Sequence, residues 1–108
     1  MPRPKKMRFI SKQLTASSFI PENTAPSGTR LLPLEAMEAI RLSDFEGMDQ
    51  ETAALQMGVS RQTFGRILTQ AREIIAETLV RNMRLQIDGG TYAFHDGPRR
   101  RRRRGRMS

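Results

Sequence analysis

Apolar residues follow a helical rhythm through the middle of the chain. Phe64, Ile67, Leu68, Ala71, Ile75, Thr78 and Leu79 recur at i, i+3, i+4, i+7 spacing, which predicts one long amphipathic helix from Arg61 to about Asn82. Ser60 stands where that helix needs an N-cap, and Gly58 before it suits a left-handed helix end, with Val59 as a lone apolar anchor between them. Asp49 caps a shorter helix, Gln50 to Met57, whose inward residues are Ala53, Ala54 and Met57; two small residues there let another helix approach closely. Upstream, Leu34 to Glu46 runs without a breaker from Pro33 to the stop at Gly47. Its apolar positions, Leu34, Met37, Ile40, Leu42 and Phe45, spread over a wide arc, so this first helix should have neighbours on more than one side, with Glu38 and Arg41 spaced to pair.

The flanking segments have a different pattern. Residues 13–32 show no periodicity and hold Pro21, Pro26 and Gly28, which predicts an irregular linker; the apolar pairs Phe19-Ile20 and Leu31-Leu32 are expected to dock on the core. After Asn82 the period changes to two: Leu85 and Ile87, then Asp88-Gly89-Gly90, then Thr91 to Phe94. This predicts a β-hairpin over 83–94, packed on the third helix, on Met7 to Ile10 or on a second copy, because two strands alone are marginal. The expected fold is mainly α: a three-helix helix-turn-helix domain at 33–82 with a short C-terminal β-hairpin.

Charge adds a division of labour. The net +8 of the 108 residues is concentrated at the ends. Residues 1–12 form a basic arm with Arg3, Lys5, Lys6, Arg8 and Lys12 and no acid; Arg99, Arg100, Arg101, Arg102, Arg103 and Arg104 begin a tail of seven Arg; between the two, seven Arg face eleven acids. Such arms favour polyanions through counterion release, and the tail from 95 to 108 is expected to be disordered unless bound. With no Cys, disulfides, thiolate metal sites and cysteine nucleophiles are excluded, and with a single His no metal or other cofactor is expected. No run reaches the ~18 apolar residues of a membrane span, so the expected setting is the cytoplasm with no membrane partner. An enzyme is not expected: His95 borders the Arg tail, and Ser17-Ser18 has no base beside it.

The most specific feature is a set of constraints met together. A helix-turn-helix needs small residues where its helices cross, a turn residue free to take positive φ, and apolar anchors after the turn; Ala54, Gly58, Val59, Phe64 and Ile67 satisfy them within Gln50 to Thr69. Opposite the apolar stripe, the third helix presents Gln62, Arg66 and Thr69, then Glu73 and Glu77. A helix entering a major groove N-terminus first needs that polarity, with donors near the bases and acids only beyond them. Gln50, Ser60, Arg61, Gln62, Thr63, Arg66 and Thr69 are therefore the expected DNA-binding residues. Arg61 and Arg66 suit a guanine edge or a phosphate, Gln62 an adenine, and Thr63 and Thr69 a phosphate or a thymine methyl. Gly65 costs ~1 kcal/mol relative to Ala inside a helix; it either lets DNA approach the backbone or is simply tolerated.

These residues carry a resemblance. The opening Met-Pro-Arg-Pro-Lys-Lys, Glu38-Ala39-Ile40-Arg41-Leu42, the run Gly58 to Leu68 and Ile87-Asp88-Gly89-Gly90-Thr91-Tyr92 resemble a family of small, largely uncharacterised prokaryotic proteins predicted to bind DNA. The helix-turn-helix of that family is similar to region four of bacterial sigma factors. The resemblance covers residues 1–10 and about 33–94, and it implies that Ser60, Arg61, Gln62, Thr63 and Arg66 face DNA. Many relatives carry cysteines in the N-terminal region, where this chain has Met7, and the Arg tail is not part of the family pattern.

The leading expectation is a sequence-specific transcriptional regulator that binds double-stranded DNA as a homodimer. Two alternatives stay open: an interaction module of the transcription machinery that contacts RNA polymerase, and a non-specific DNA or RNA binder driven by its arms.

Overall fold

The computed structural model describes residues 8–10, 17–88 and 92–94. They form three α-helices, α1 (Leu34–Ile40), α2 (Gln50–Met57) and α3 (Arg61–Val80), and five short strands, β1 (Arg8–Ile10), β2 (Ser18–Phe19), β3 (Thr29–Leu32), β4 (Arg84–Ile87) and β5 (Tyr92–Phe94). The architecture is mainly α with small strand pairings.

The helices form where the caps and spacing place them. Asp49 accepts the Thr52 N–H at 2.7 Å and Ser60 accepts the Thr63 N–H at 3.0 Å, each satisfying a donor that the first helical turn leaves free. Gly58 takes φ 69°. The Val59 N–H then bonds Ala54 O and the Gly58 N–H bonds Leu55 O, the paired closure of a helix that ends on a left-handed residue. At the far end of α3, Asn82 plays the same part at φ 56°, with the Met83 N–H returning to Thr78 O.

The core is one cluster. Phe64, Leu32, Leu42, Met57 and Leu68 are its largest fully buried side chains, and Ala36, Ala39, Ala53, Ala54 and Ala71 let the three helices come close around them. α3 packs against both α1 and α2. Thr78, a buried polar residue, donates its hydroxyl to Ile74 O at 2.7 Å and so stays satisfied.

The first helix does not run uniformly to Glu46. After Ile40 it widens into a π-helical turn, Arg41–Phe45, closed by the Glu46 N–H on Arg41 O at 2.8 Å. The wide turn keeps Leu42 in the core while Arg41 bridges buried Glu38 at 3.0 Å and Glu46 at 2.8 Å; its guanidinium is held above its ordinary pKa, first by the hydrogen bond to Glu38. The expected Glu38–Arg41 pair therefore forms, but Phe45 is turned out to 81% exposure.

The strands correct two expectations. The hairpin over 83–94 is not formed: β4 pairs antiparallel with β2 on one edge and parallel with β3 on the other, and β5 pairs parallel with β1. Both edges of β4 are already occupied, so β5 has no place beside it. Residues 13–32 are likewise more than a linker, because they supply β2 and β3; the register sets Leu32 beside Ile87, and both are buried on the helices. Arg8–Ile10 of the N-terminal arm is strand and pairs with β5, so the segment expected as one support for the hairpin does take up its last residues. Of the apolar pairs expected to dock, only Leu32 is buried, whereas Phe19, Ile20 and Leu31 stay exposed.

Phe64→Ala should remove about 3–5 kcal/mol of stability, a large share of a marginal total, whereas Leu55→Ala, at an exposed position of α2, should stay within about 0.5 kcal/mol. Thermal unfolding followed by circular dichroism separates the two; equal losses would contradict the assignment of the core.

Candidate nucleic-acid interface

The expected DNA-binding residues come together at the N-terminal half of α3 and the start of α2. Ser60, Arg61, Gln62, Arg66 and Thr69 are exposed, Thr63 is half-buried, and Gln50, the first residue of α2, is exposed. Burial of Phe64, Ile67, Leu68 and Ala71 fixes the rotation of α3, so at 100° per residue Gln62, Arg66 and Thr69 lie on the side facing away from the core.

The caps order the rim of this surface. Besides accepting the Thr63 N–H, the Ser60 hydroxyl lies 3.0 Å from Thr63 Oγ1, which ties Thr63 to the cap rather than leaving it free on the helix face. Arg61 sits on the flank nearer α2 and lies close enough to Asp49 to act on its carboxyl. That carboxyl is held below its ordinary value, first by the Thr52 backbone N–H and last by Arg61.

Gly65 faces α2. A Cβ there would stand 3.4 Å from Gln50 Oε1, so the close neighbour of this glycine within the chain is the Gln50 side chain. The start of α2 thus lies across the second turn of α3.

Charge distinguishes the arginines. Arg30, Arg41, Arg72 and Arg81 each face a carboxylate within 4 Å, Arg72 through two hydrogen bonds to Asp44, which lower the Asp44 pKa. Arg61 and Arg66 form no ion pair among the described residues and keep their donors toward solvent. Gln70, one turn beyond Arg66, is exposed and extends the same polar surface. The motif does not pick it out; its i+4 spacing from Arg66 is the signal that would have found it. Farther along, Glu73 is exposed and Glu77 turns to Arg30 at 3.1 Å, so the acids begin where the donor-rich turns end.

Arg3, Lys5 and Lys6 and the tail residues Arg99 to Arg104 lie outside the described residues, as does the expectation of disorder over 95–108; Arg8 opens β1. Among the described residues no group of three His, Cys, Asp or Glu could hold a metal ion, and no helix is long and apolar enough to cross a membrane.

The chain belongs to the family described as protein of unknown function DUF134, whose model matches residues 1–95. It is similar to a UPF0251 protein of Syntrophobacter fumaroxidans, 50% identical over 92 residues that cover 83% of this chain and 59% of that protein. A UPF0251 protein of Thermoanaerobacter pseudethanolicus is 39% identical over 102 residues, covering 93% of this chain and 86% of its own. One of Rhodospirillum rubrum is 40% identical over 113 residues, covering 97% and 79%. The chain thus spans about three fifths of the first relative's length and more of the other two. No solved structure matches it significantly.

The two caps should respond differently to substitution and pH. Ser60→Ala should cost about 1 kcal/mol and shift the melting temperature by about 4–8 °C for a domain of this size. Asp49 has a folded pKa below its unfolded one, so its contribution is present above the unfolded value and is lost as pH falls through the folded value. Asp49→Asn keeps a good cap without a titrating group and should flatten that part of the acid limb in a pH series of denaturation curves. An unchanged acid limb would contradict the Asp49 assignment.

Proposed function

We propose that this protein is a sequence-specific double-stranded DNA-binding protein, a cytoplasmic transcriptional regulator that lays the N-terminal half of α3 in the major groove. In this reading α2, Gly58–Ser60 and α3 are the helix-turn-helix, and the resemblance through the family to region four of sigma factors is read as a resemblance of DNA-reading parts. The observation that carries the proposal is the solvent-facing surface of Gln62, Arg66 and Thr69, flanked by Arg61. Its arginines form no ion pair among the described residues, and it lies on the capped end of a helix whose other face is buried.

Each part has a physical role. The exposed N–H groups at the start of α3, beside the Ser60 cap, favour a phosphate. Arg66 and Gln62 have the fork and the paired donor and acceptor that distinguish guanine and adenine edges. Gln50, seated over Gly65, holds α2 in register across the groove and offers its amide to the backbone. The arms add affinity without choosing sequence: Arg3, Lys5, Lys6 and Arg8 follow the phosphates on one side, and Arg99 to Arg104 supply a second salt-sensitive contact.

Selection of bound duplexes from a random pool at physiological salt tests this. Wild type should enrich one recurring sequence, Gln62→Ala should change the preference at one position, and Arg66→Ala should weaken the enriched site about 10–100-fold. Deletion of 99–108 should leave the preference intact while reducing the salt dependence of affinity. Enrichment of no sequence, or loss of all binding on deletion of the tail alone, would sink the specific reading and favour a general nucleic-acid binder.

A further inference from the structure

Gly65 is the only glycine inside a helix among the described residues, and neither its backbone nor its packing against them calls for glycine. Gly47 and Gly58 take positive φ, but Gly65 does not, so alanine could adopt its conformation. Where the helices pack together the small residues are alanines: Ala53, Ala54 and Ala71 are buried in the shared core. Gly65 instead lies half-buried at the edge of the crossing. A Cβ on it would meet Gln50 Oε1 at 3.4 Å, an ordinary contact with the far end of a flexible side chain. Glycine is nonetheless the least favourable residue after proline in a helix interior. The fold bears that cost without using the space it leaves.

We propose that Gly65 is the point where one strand of bound DNA passes over α3, with its sugar–phosphate backbone in van der Waals contact with the bare helix backbone. The inference rests on the DNA reading above and adds which wall of the groove lies on the α2 side. At 100° per residue Gly65 is about 60° round the helix from Gln62, toward α2. Gln62, Arg66 and Thr69 face the base edges in that reading, and the strands that wall the groove must then pass on either side of them. On the α2 side the flank consists of Arg61 one turn before Gly65, the Gln50 amide over it, and Gly65 between. Arg61 and Gln50 offer the donors that position a phosphate backbone. Gly65 supplies closeness: a side chain there would hold the strand off and lift Gln62 and Arg66, which ride on the same helix, away from the bases.

Gly65→Ala in the full chain tests this, because stability and affinity should move in opposite directions. Its melting temperature should rise by about 4 °C. Its affinity for a labelled duplex carrying the sequence that wild type enriches should fall about tenfold, the effect of one methyl forced into a packed contact. The dependence of affinity on salt should stay the same, since no phosphate contact is removed. The fall should persist in a Gln50→Ala background, where the neighbour of the new methyl within the chain is gone. Binding as tight as wild type, a fall that vanishes with Gln50→Ala, or a lowered melting temperature, the result if another segment of the chain covers Gly65, would overturn the proposal while leaving the DNA reading in place. A wild type that enriches no duplex would remove that reading and the proposal with it.

Discussion

The fold depends on the burial of one face of α3. Phe64, Ile67, Leu68 and Ala71 enter a single cluster with the small residues of α1 and α2, and this contact sets the rotation and position of the longest element in the chain. Once that face is fixed, the outward direction of Gln62, Arg66 and Thr69 follows from helix geometry alone. The strands serve the same arrangement from the other side. β3 leads into α1 and α3 leads into β4, and the parallel pairing of β3 with β4 joins the two ends of the helical segment, with Leu32 and Ile87 sealing the join.

Local chemistry then assigns different tasks to similar residues. The Arg41 guanidinium is held by Glu38 and Glu46 and anchors the π-helical turn, and Arg72 ties that turn to α3 through Asp44. Arg61 and Arg66 have no such structural duty. A surface that keeps its donors toward water incurs little desolvation cost until a partner arrives, and an anionic acceptor such as a phosphate then binds an arginine more strongly than the water it displaces. In the proposed reading, the acids later on α3 limit how far such a partner can extend along the helix.

The helices were legible because their signals are local. Asp49, Ser60 and Gly58 act within three or four residues of themselves, and the apolar stripe from Phe64 to Ala71 repeats within one element, so the spacing of residue types is enough to locate them. The strands were not, because they are two to four residues long and the pairing of Thr29 with Arg84 joins positions on opposite sides of all three helices. Alternation around Gly89-Gly90 resembles a hairpin as long as the neighbours of β4 are unknown. Leu79, Phe19 and Ile20 show the same limit from another direction: their residue types mark them for burial, but sequence does not say whether their own chain or another supplies the cover. At the site, the residues on the exposed face followed from the period of the helix, while the seating of Gln50 over Gly65 and the tying of Thr63 to Ser60 depend on a helix crossing and a cap geometry that spacing does not specify.

The central claim is that the first turns of α3, not the basic arms, make the specific contact with DNA. Nuclear magnetic resonance of the isotope-labelled chain, titrated with the duplex most enriched by selection, tests it most directly. The account predicts that the largest amide shift changes fall on Ser60 to Gln70 and on the start of α2, and that they saturate together. Changes confined to residues 1–12 and 99–108, with α3 unaffected, would contradict it.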